Sequence, residues 1–159
     1  MSTHEAVTGL QSGLRAIQAR DFQRSEKYQQ QLMRANRDGA DERLVRFENR
    51  FITRLQKLHV PMFAHVFVRS EADQAVAYKS GNSRAKPGQS PHQYGCAVDI
   101  IHGIKGWELA RESWALIGHI GKEVAVQNGL KVVWGGDFKS IYDPAHWELA
   151  DWRVIAFIR

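Results

Sequence analysis

At 159 residues the chain has room for one domain with a real hydrophobic core and too little for two ordinary ones. Apolar residues at 43% and charged residues at 25% are the proportions of a soluble globular protein, and a single cysteine excludes an internal disulfide framework. The net charge of +5 either draws the chain to polyanions, such as nucleic acid or a phosphate-rich cell wall, or only keeps helix surfaces soluble.

The N-terminus, Met1-Ser2-Thr3-His4-Glu5-Ala6-Val7, lacks a basic stretch followed by an apolar run. No secretory signal is therefore expected, no stretch is long enough to span a bilayer, and the expected compartment is the cytoplasm, with another factor giving access to any target outside it. Residues 3–37 read as helix: Ser2 and Glu5 have capping-box spacing, and Val7, Leu10, Leu14 and Ile17 recur at helical intervals. The Gln- and Arg-rich stretch 20–37 is either an exposed continuation or a separate short helix, and Asp38-Gly39 is a break. These first forty residues form a helical N-terminal extension, with 41–159 as the functional domain.

A helix over 41–58 places Leu44, Phe47, Phe51, Leu55 and Leu58 on one face, and Glu42, Arg46, Arg50 and Arg54 on others. Pro61 ends it, and 62–68 read as a buried strand. Ser70 with Asp73 caps a third helix that fades near Ser80-Gly81, and a loop over 81–91 leads to a strand at 94–101. Within 106–128, Ala110, Trp114, Ile117, Gly121 and Val124 keep helical spacing, closed by Gly129. Short strands at 130–134 and 146–149 follow, with a turn at Gly135-Gly136. The pattern predicts an α+β fold: a single domain with helices around a small, largely antiparallel sheet.

The chemistry concentrates in Ser90-Pro91-His92-Gln93-Tyr94-Gly95-Cys96-Ala97-Val98-Asp99 and in Asp143-Pro144-Ala145-His146. Two histidines and one aspartate supply three ligands to Zn²⁺ and leave a fourth position for water, as in catalytic rather than structural zinc sites. A bend at Gly95 brings His92 toward Asp99. Strand alternation then puts Cys96 on the opposite face from Asp99, so Cys96 reads as a small buried hydrophobe and His102 as a surface or supporting residue. Pro144 makes the second segment a turn entering a strand, with Asp143 near the metal. Glu148 shares a face with His146 and either orients that ligand or is solvated.

Ser90-x-His92-x-x-Gly95-x-Ala97-x-Asp99, Trp134-Gly135-Gly136-Asp137-Phe138 and Asp143-Pro144-x-His146-Trp147-Glu148-Leu149 together resemble the zinc D,D-carboxypeptidase, D,D-dipeptidase and L-alanyl-D-glutamate endopeptidase family, especially its short single-domain phage endolysins. Arg69-Ser70 with Gln74, Tyr78 and Gly81 is similar to the family's upstream Arg-Ser motif. The resemblance leaves the first forty residues unmatched. It implies one zinc ion on His92, Asp99 and His146, with Asp143 as general base. It further implies Arg69 at the substrate carbonyl and developing oxyanion, Ser90 and Gln74 beside the substrate, and Trp134 in the cleft wall. An alternative for Arg69 is a surface pair with Glu71 or Asp73.

The activity so implied is zinc-dependent hydrolysis of peptidoglycan stem peptides, first at the L-alanyl-D-glutamate bond. The alternatives are a D-alanyl-D-alanine carboxypeptidase or dipeptidase, and a non-catalytic wall-binding or virion structural domain. Presence of all four residues, His92, Asp99, Asp143 and His146, favours catalysis. The expected partner is the stem peptide, met by a monomer without membrane insertion. Nucleic acid is not expected, because the basic residues of 20–54 alternate with acids and no recognised binding motif accompanies them.

Overall fold

Each of the first four helices starts where a short polar side chain caps it. In the computed structural model, which describes residues 2–159, Ser2 and Glu5 form a complete capping box at the start of α1 (Thr3–Arg15). Ser25 caps α2 (Glu26–Leu32), Asp41 caps α3 (Glu42–Lys57) and Ser70 caps α4 (Glu71–Lys79). The helix expected over 3–37 is thus interrupted between Arg15 and Glu26. There the Ala19 N–H leaves the helical ladder to bond the His59 carbonyl at 2.8 Å, and a 3₁₀ turn, Phe22–Arg24, reverses the chain. This turn brings both Ile17 and Tyr28 into the core. Val7 and Leu10, on the expected apolar face of α1, stay about half exposed, at 48% and 47%.

The four strands, β1 (Met62–Val66), β2 (Ala97–His102), β3 (Val132–Trp134) and β4 (His146–Leu149), form one antiparallel sheet in the order β1-β2-β4-β3. The strand expected at 94–101 begins later, because Pro91–Tyr94 is a 3₁₀ helix. Gly95 ends that helix at φ 67°, and a β-carbon there would lie 2.3 Å from the Gly39 carbonyl oxygen. Asp99 pairs with His146 across β2 and β4, so two residues 47 apart in sequence become direct neighbours.

Alternation along these strands sorts the two faces of the sheet. Val98, Ile100 and Trp147 are buried in the core that α3 and α5 (Arg111–Gln127) complete. Phe47 and Phe51 each place their ring 5.2 Å from that of Trp147, and Gly121 leaves the space its indole fills. Asp99, His146 and Glu148 emerge on the other face. A further helix, α6 (Trp152–Ile158), not expected from the sequence, follows β4 and packs Trp152 back against the fold. No helix among the described residues is long and apolar enough to cross a membrane.

Candidate metal centre

Both histidines have one ring nitrogen committed elsewhere, and this determines what the other can do. His92 Nδ1 lies 2.8 Å from the Phe67 carbonyl, which can only accept, so Nδ1 carries the hydrogen and Nε2 is bare. His146 Nε2 lies 2.8 Å from Glu148 Oε2, an acceptor-only carboxylate, so there Nε2 carries the hydrogen and Nδ1 is bare. Both bare nitrogens face the same oxygen: Asp99 Oδ1 is 3.3 Å from His92 Nε2 and 3.2 Å from His146 Nδ1. The three ligand atoms lie within 4.8 Å of one another.

Three lone pairs pointing into one small space repel unless a proton or a metal cation sits among them. Two neutral imidazole nitrogens and a carboxylate oxygen suit zinc, so the residues fit the ion that the sequence implied. The electrostatics agree. Burial works to raise the Asp99 carboxyl, but His92 and His146 overcome it and hold it well below the ordinary carboxylate range. Burial works to lower His146, yet Asp99 and Glu148 push it up to about 10, so without the ion a proton fills Nδ1, the position that a cation takes when bound.

The same cleft, about 440 Å³, is lined by Arg69, Ser90 and Asp143 together with the ligand set. Asp143 is raised above the usual aspartate value, first by burial and then by Asp99, against the opposing pull of His146 and His92. Its place is set by the turn around it. Asp143 N–H donates to the Gly135 carbonyl at 3.0 Å, and the His146 N–H donates to the Asp143 carbonyl at 3.1 Å.

Arg69 does not pair with Glu71 or Asp73. Its backbone N–H bonds the His92 carbonyl at 3.1 Å, and its guanidinium turns inward, with Nη2 3.9 Å from Asp99 Oδ2. Nη1 donates to Gln74 Oε1 at 2.8 Å.

Gln74, expected beside the substrate, and Trp134, expected in the cleft wall, do not line the cleft. Gln74 is fully buried and does not line the cleft; its Nε2 donates to Ser83 Oγ at 2.9 Å and to the Ala85 carbonyl at 2.7 Å. With both ends of the amide engaged, Gln74 fastens Arg69 to the loop that forms one cleft wall. Trp134 is also absent from the cleft lining. It pairs with Trp147 across β3 and β4, and cross-strand partners share a face, so its indole stacks on Trp147 at 6.0 Å on the core side. Its Nε1–H donates to the Pro144 carbonyl at 2.8 Å, supporting the turn from beneath. Ser90 does line the cleft, and its Oγ accepts the His92 N–H at 3.4 Å.

Cys96 stays out of the ligand set: its Sγ donates to the Tyr94 carbonyl at 3.3 Å, and burial pushes the thiol up to about 11. His102 is neither on the surface nor at the metal. It is buried at the end of β2, where Nε2–H donates to the Ile17 carbonyl at 2.8 Å and Nδ1 accepts from the Ile104 and Lys105 N–H groups. Trp152 and Arg153 line the cleft unanticipated. The signal that would have found them is the spacing of Trp152, Ile155 and Ala156 after Asp151, a short helix following β4.

The family model described as D-alanyl-D-alanine carboxypeptidase matches residues 83–149, which hold every proposed ligand and Asp143. A crystal structure of the L-Ala D-Glu endopeptidase ChiX of Serratia marcescens superposes with a TM-score of 0.61 at 25% identity, covering 82% of this chain and 91% of that one. The zinc complex of an E175A mutant of the vancomycin-resistance D,D-pentapeptidase VanY, from a VanB-type cassette, reaches 0.51 at 16% identity, over 75% and 77% of the two chains. The L,D-carboxypeptidase DacB from Streptococcus pneumonia also reaches 0.51, at 20% identity over 76% and 72%. The two lower-identity likenesses bear on the fold.

Proposed function

We propose that the chain is a zinc peptidase of the family whose model it matches over residues 83–149, and that it is an L-alanyl-D-glutamate endopeptidase acting on peptidoglycan stem peptides. The observation that carries the hydrolytic part is the convergence of two bare imidazole nitrogens on one Asp99 oxygen, in a cleft that also holds Asp143 and Arg69. Support for the endopeptidase bond comes from the ChiX likeness, which is higher in TM-score and in shared chain length than those to VanY and DacB.

In this reading His92 Nε2, Asp99 and His146 Nδ1 hold one zinc ion. When bound, zinc supplies Lewis acidity, which lowers the pKa of water from about 16 to about 7 and polarises a carbonyl. The protein's own groups do the rest. Asp143 takes the proton from the attacking water on a carboxylate oxygen and delivers it to the leaving amine nitrogen. Burial raises its carboxyl and so favours taking up that proton. Arg69, aimed by Gln74, donates to the substrate oxygen as that atom becomes anionic; one such donor is typically worth about 3 to 4 kcal/mol. Ser90 holds the edge of the cleft next to His92 and meets the substrate there.

Digestion of purified peptidoglycan with the zinc-loaded protein, followed by mass spectrometry, tests the reading. Fragments with a new N-terminal D-glutamate are expected. Release of D-alanine alone would make the protein a carboxypeptidase, and intact peptidoglycan would leave a binding domain.

A further inference from the structure

The cleft carries charges of both signs in its interior and only basic ones at its rim. Asp99, Asp143, Glu148 and Arg69 line the inner part, whereas Arg84 and Arg153 are exposed at its edge. Neither rim arginine takes part in an ion pair among the described residues.

Arg153 is held in place nonetheless. Its guanidinium carbon lies 4.6 Å from the centroid of the Trp152 ring. Trp152 is nearly buried, its Nε1–H donates to Glu148 Oε1 at 3.2 Å, and the other oxygen of Glu148 receives His146 Nε2–H. Two side chains therefore connect the rim cation to a metal ligand. The far side of α6 is anchored as well: Tyr94 stacks on Trp152 at 6.3 Å, and Arg159 Nη1 donates to the Tyr94 carbonyl at 3.0 Å. A guanidinium stacked on a fixed indole loses little rotamer freedom when it binds a ligand, and its planar fork suits a carboxylate better than any neutral group.

We propose that Arg153 is a specificity-determining residue that binds a substrate carboxylate flanking the scissile amide, so that the site selects an acidic peptide. The assignment rests on the stem-peptide reading above. In such a peptide the D-glutamate that follows L-alanine continues through its side-chain carboxyl. Its α-carboxylate is therefore free, close to the scissile nitrogen. Inside the cleft the cations already face acids, Arg69 against Asp99 and the ion among its ligands, so the unpaired rim guanidinium is the group left to attract that carboxylate, which orients the peptide with its neutral amide inward and its acid outward. Residues 152 and 153 lie beyond the segment matched by the family model, so this element of recognition is supplied by the chain's own C-terminal helix.

The test uses the zinc-loaded 159-residue chain and two synthetic muramoyl peptides that differ only in an α-carboxylate or an α-carboxamide on the D-glutamyl residue. The acid is expected to be cleaved with a kcat/KM at least about tenfold above the amide. Arg153→Ala should cost about tenfold on the acid, chiefly through KM, and less than about threefold on the amide, with Arg153→Lys recovering part of the difference. Equal cleavage of both peptides by the unaltered protein, or equal losses on both in Arg153→Ala, overturns the assignment and leaves the hydrolase reading standing. Cleavage of neither peptide removes both.

Discussion

His92 is oriented by a backbone carbonyl and His146 by a carboxylate that also receives Trp152, so the two imidazoles are held by different kinds of partner. Asp143 differs from both in facing the cleft without belonging to the ligand set. Asp143→Asn is accordingly expected to keep stoichiometric zinc while kcat falls by about 10²- to 10⁴-fold, whereas His146→Ala should lose metal and turnover together. Atomic absorption alongside peptide turnover separates these outcomes, and a metal-free but folded Asp143→Asn would make Asp143 a ligand. Gln74 supports a second residue-scale prediction. Gln74→Met removes three hydrogen bonds from a fully buried side chain and releases Arg69, so kcat should drop about tenfold, with a stability loss of about 1 to 3 kcal/mol. In an Arg69→Ala background the same change should cost little further activity; fully additive losses would show that Gln74 does not act through Arg69.

At the scale of elements, the turn between β3 and β4 carries the proposed base, Asp143, and one candidate ligand, His146, together. A β-carbon on Gly135 would fall 2.1 Å from the Asp143 carbonyl oxygen and 3.0 Å from His146 Cβ, so this position has no room for any side chain. Gly135→Ala is expected to displace Asp143 and His146 jointly, lowering zinc affinity and activity about tenfold or more while far-UV circular dichroism stays unchanged. Retention of full zinc affinity would mean that the turn relaxes without moving its ligand. The turn, the flanking strands and the role of Gly95 were all legible in the sequence, because glycine pairs and short β-branched or aromatic runs are local signals. The placement of Trp134 was not. A strand of three residues shows no alternation of its own, and only its pairing with Trp147 reveals which face it shares.

For the molecule as a whole, the first forty residues are packed against the rest through the core, since Ile17, Tyr28 and Ala35 are buried within it. The Tyr28 hydroxyl donates to the Met62 carbonyl at 2.8 Å, and Ser113 Oγ donates to the Gly13 carbonyl at 2.8 Å. His102 adds a pH-sensitive tie between Ile17 and the end of β2. Burial lowers its pKa below 6.5, and this outweighs the raising effect of the Ile17 bond. As pH falls the unfolded chain therefore binds the proton first, so the stability tied to neutral His102 is complete above about pH 6.5 and declines below it. His65 is lowered in the same direction, again chiefly by burial. His102→Gln should consequently lose less melting temperature than the unaltered protein between about pH 7.5 and pH 5.5. An unchanged difference would place the acid sensitivity elsewhere. Apolar spacing indicated helix over much of the N-terminal segment but not its interruption, because the Ala19-to-His59 bond joins residues that no local pattern connects.

Sequence alone determined the donor set, the α+β class and most of the element order. Zinc accepts few side-chain types, caps and glycines act on their immediate neighbours, and strand and helix periods repeat within a few residues. Tertiary structure decided what those residues face. The register that seats Asp99 against His146, the burial of Gln74 behind Arg69 and the cover that α6 lends the cleft all depend on contacts between distant segments. Such contacts are set by packing and hydrogen bonding across the whole chain, and local propensity carries no record of them.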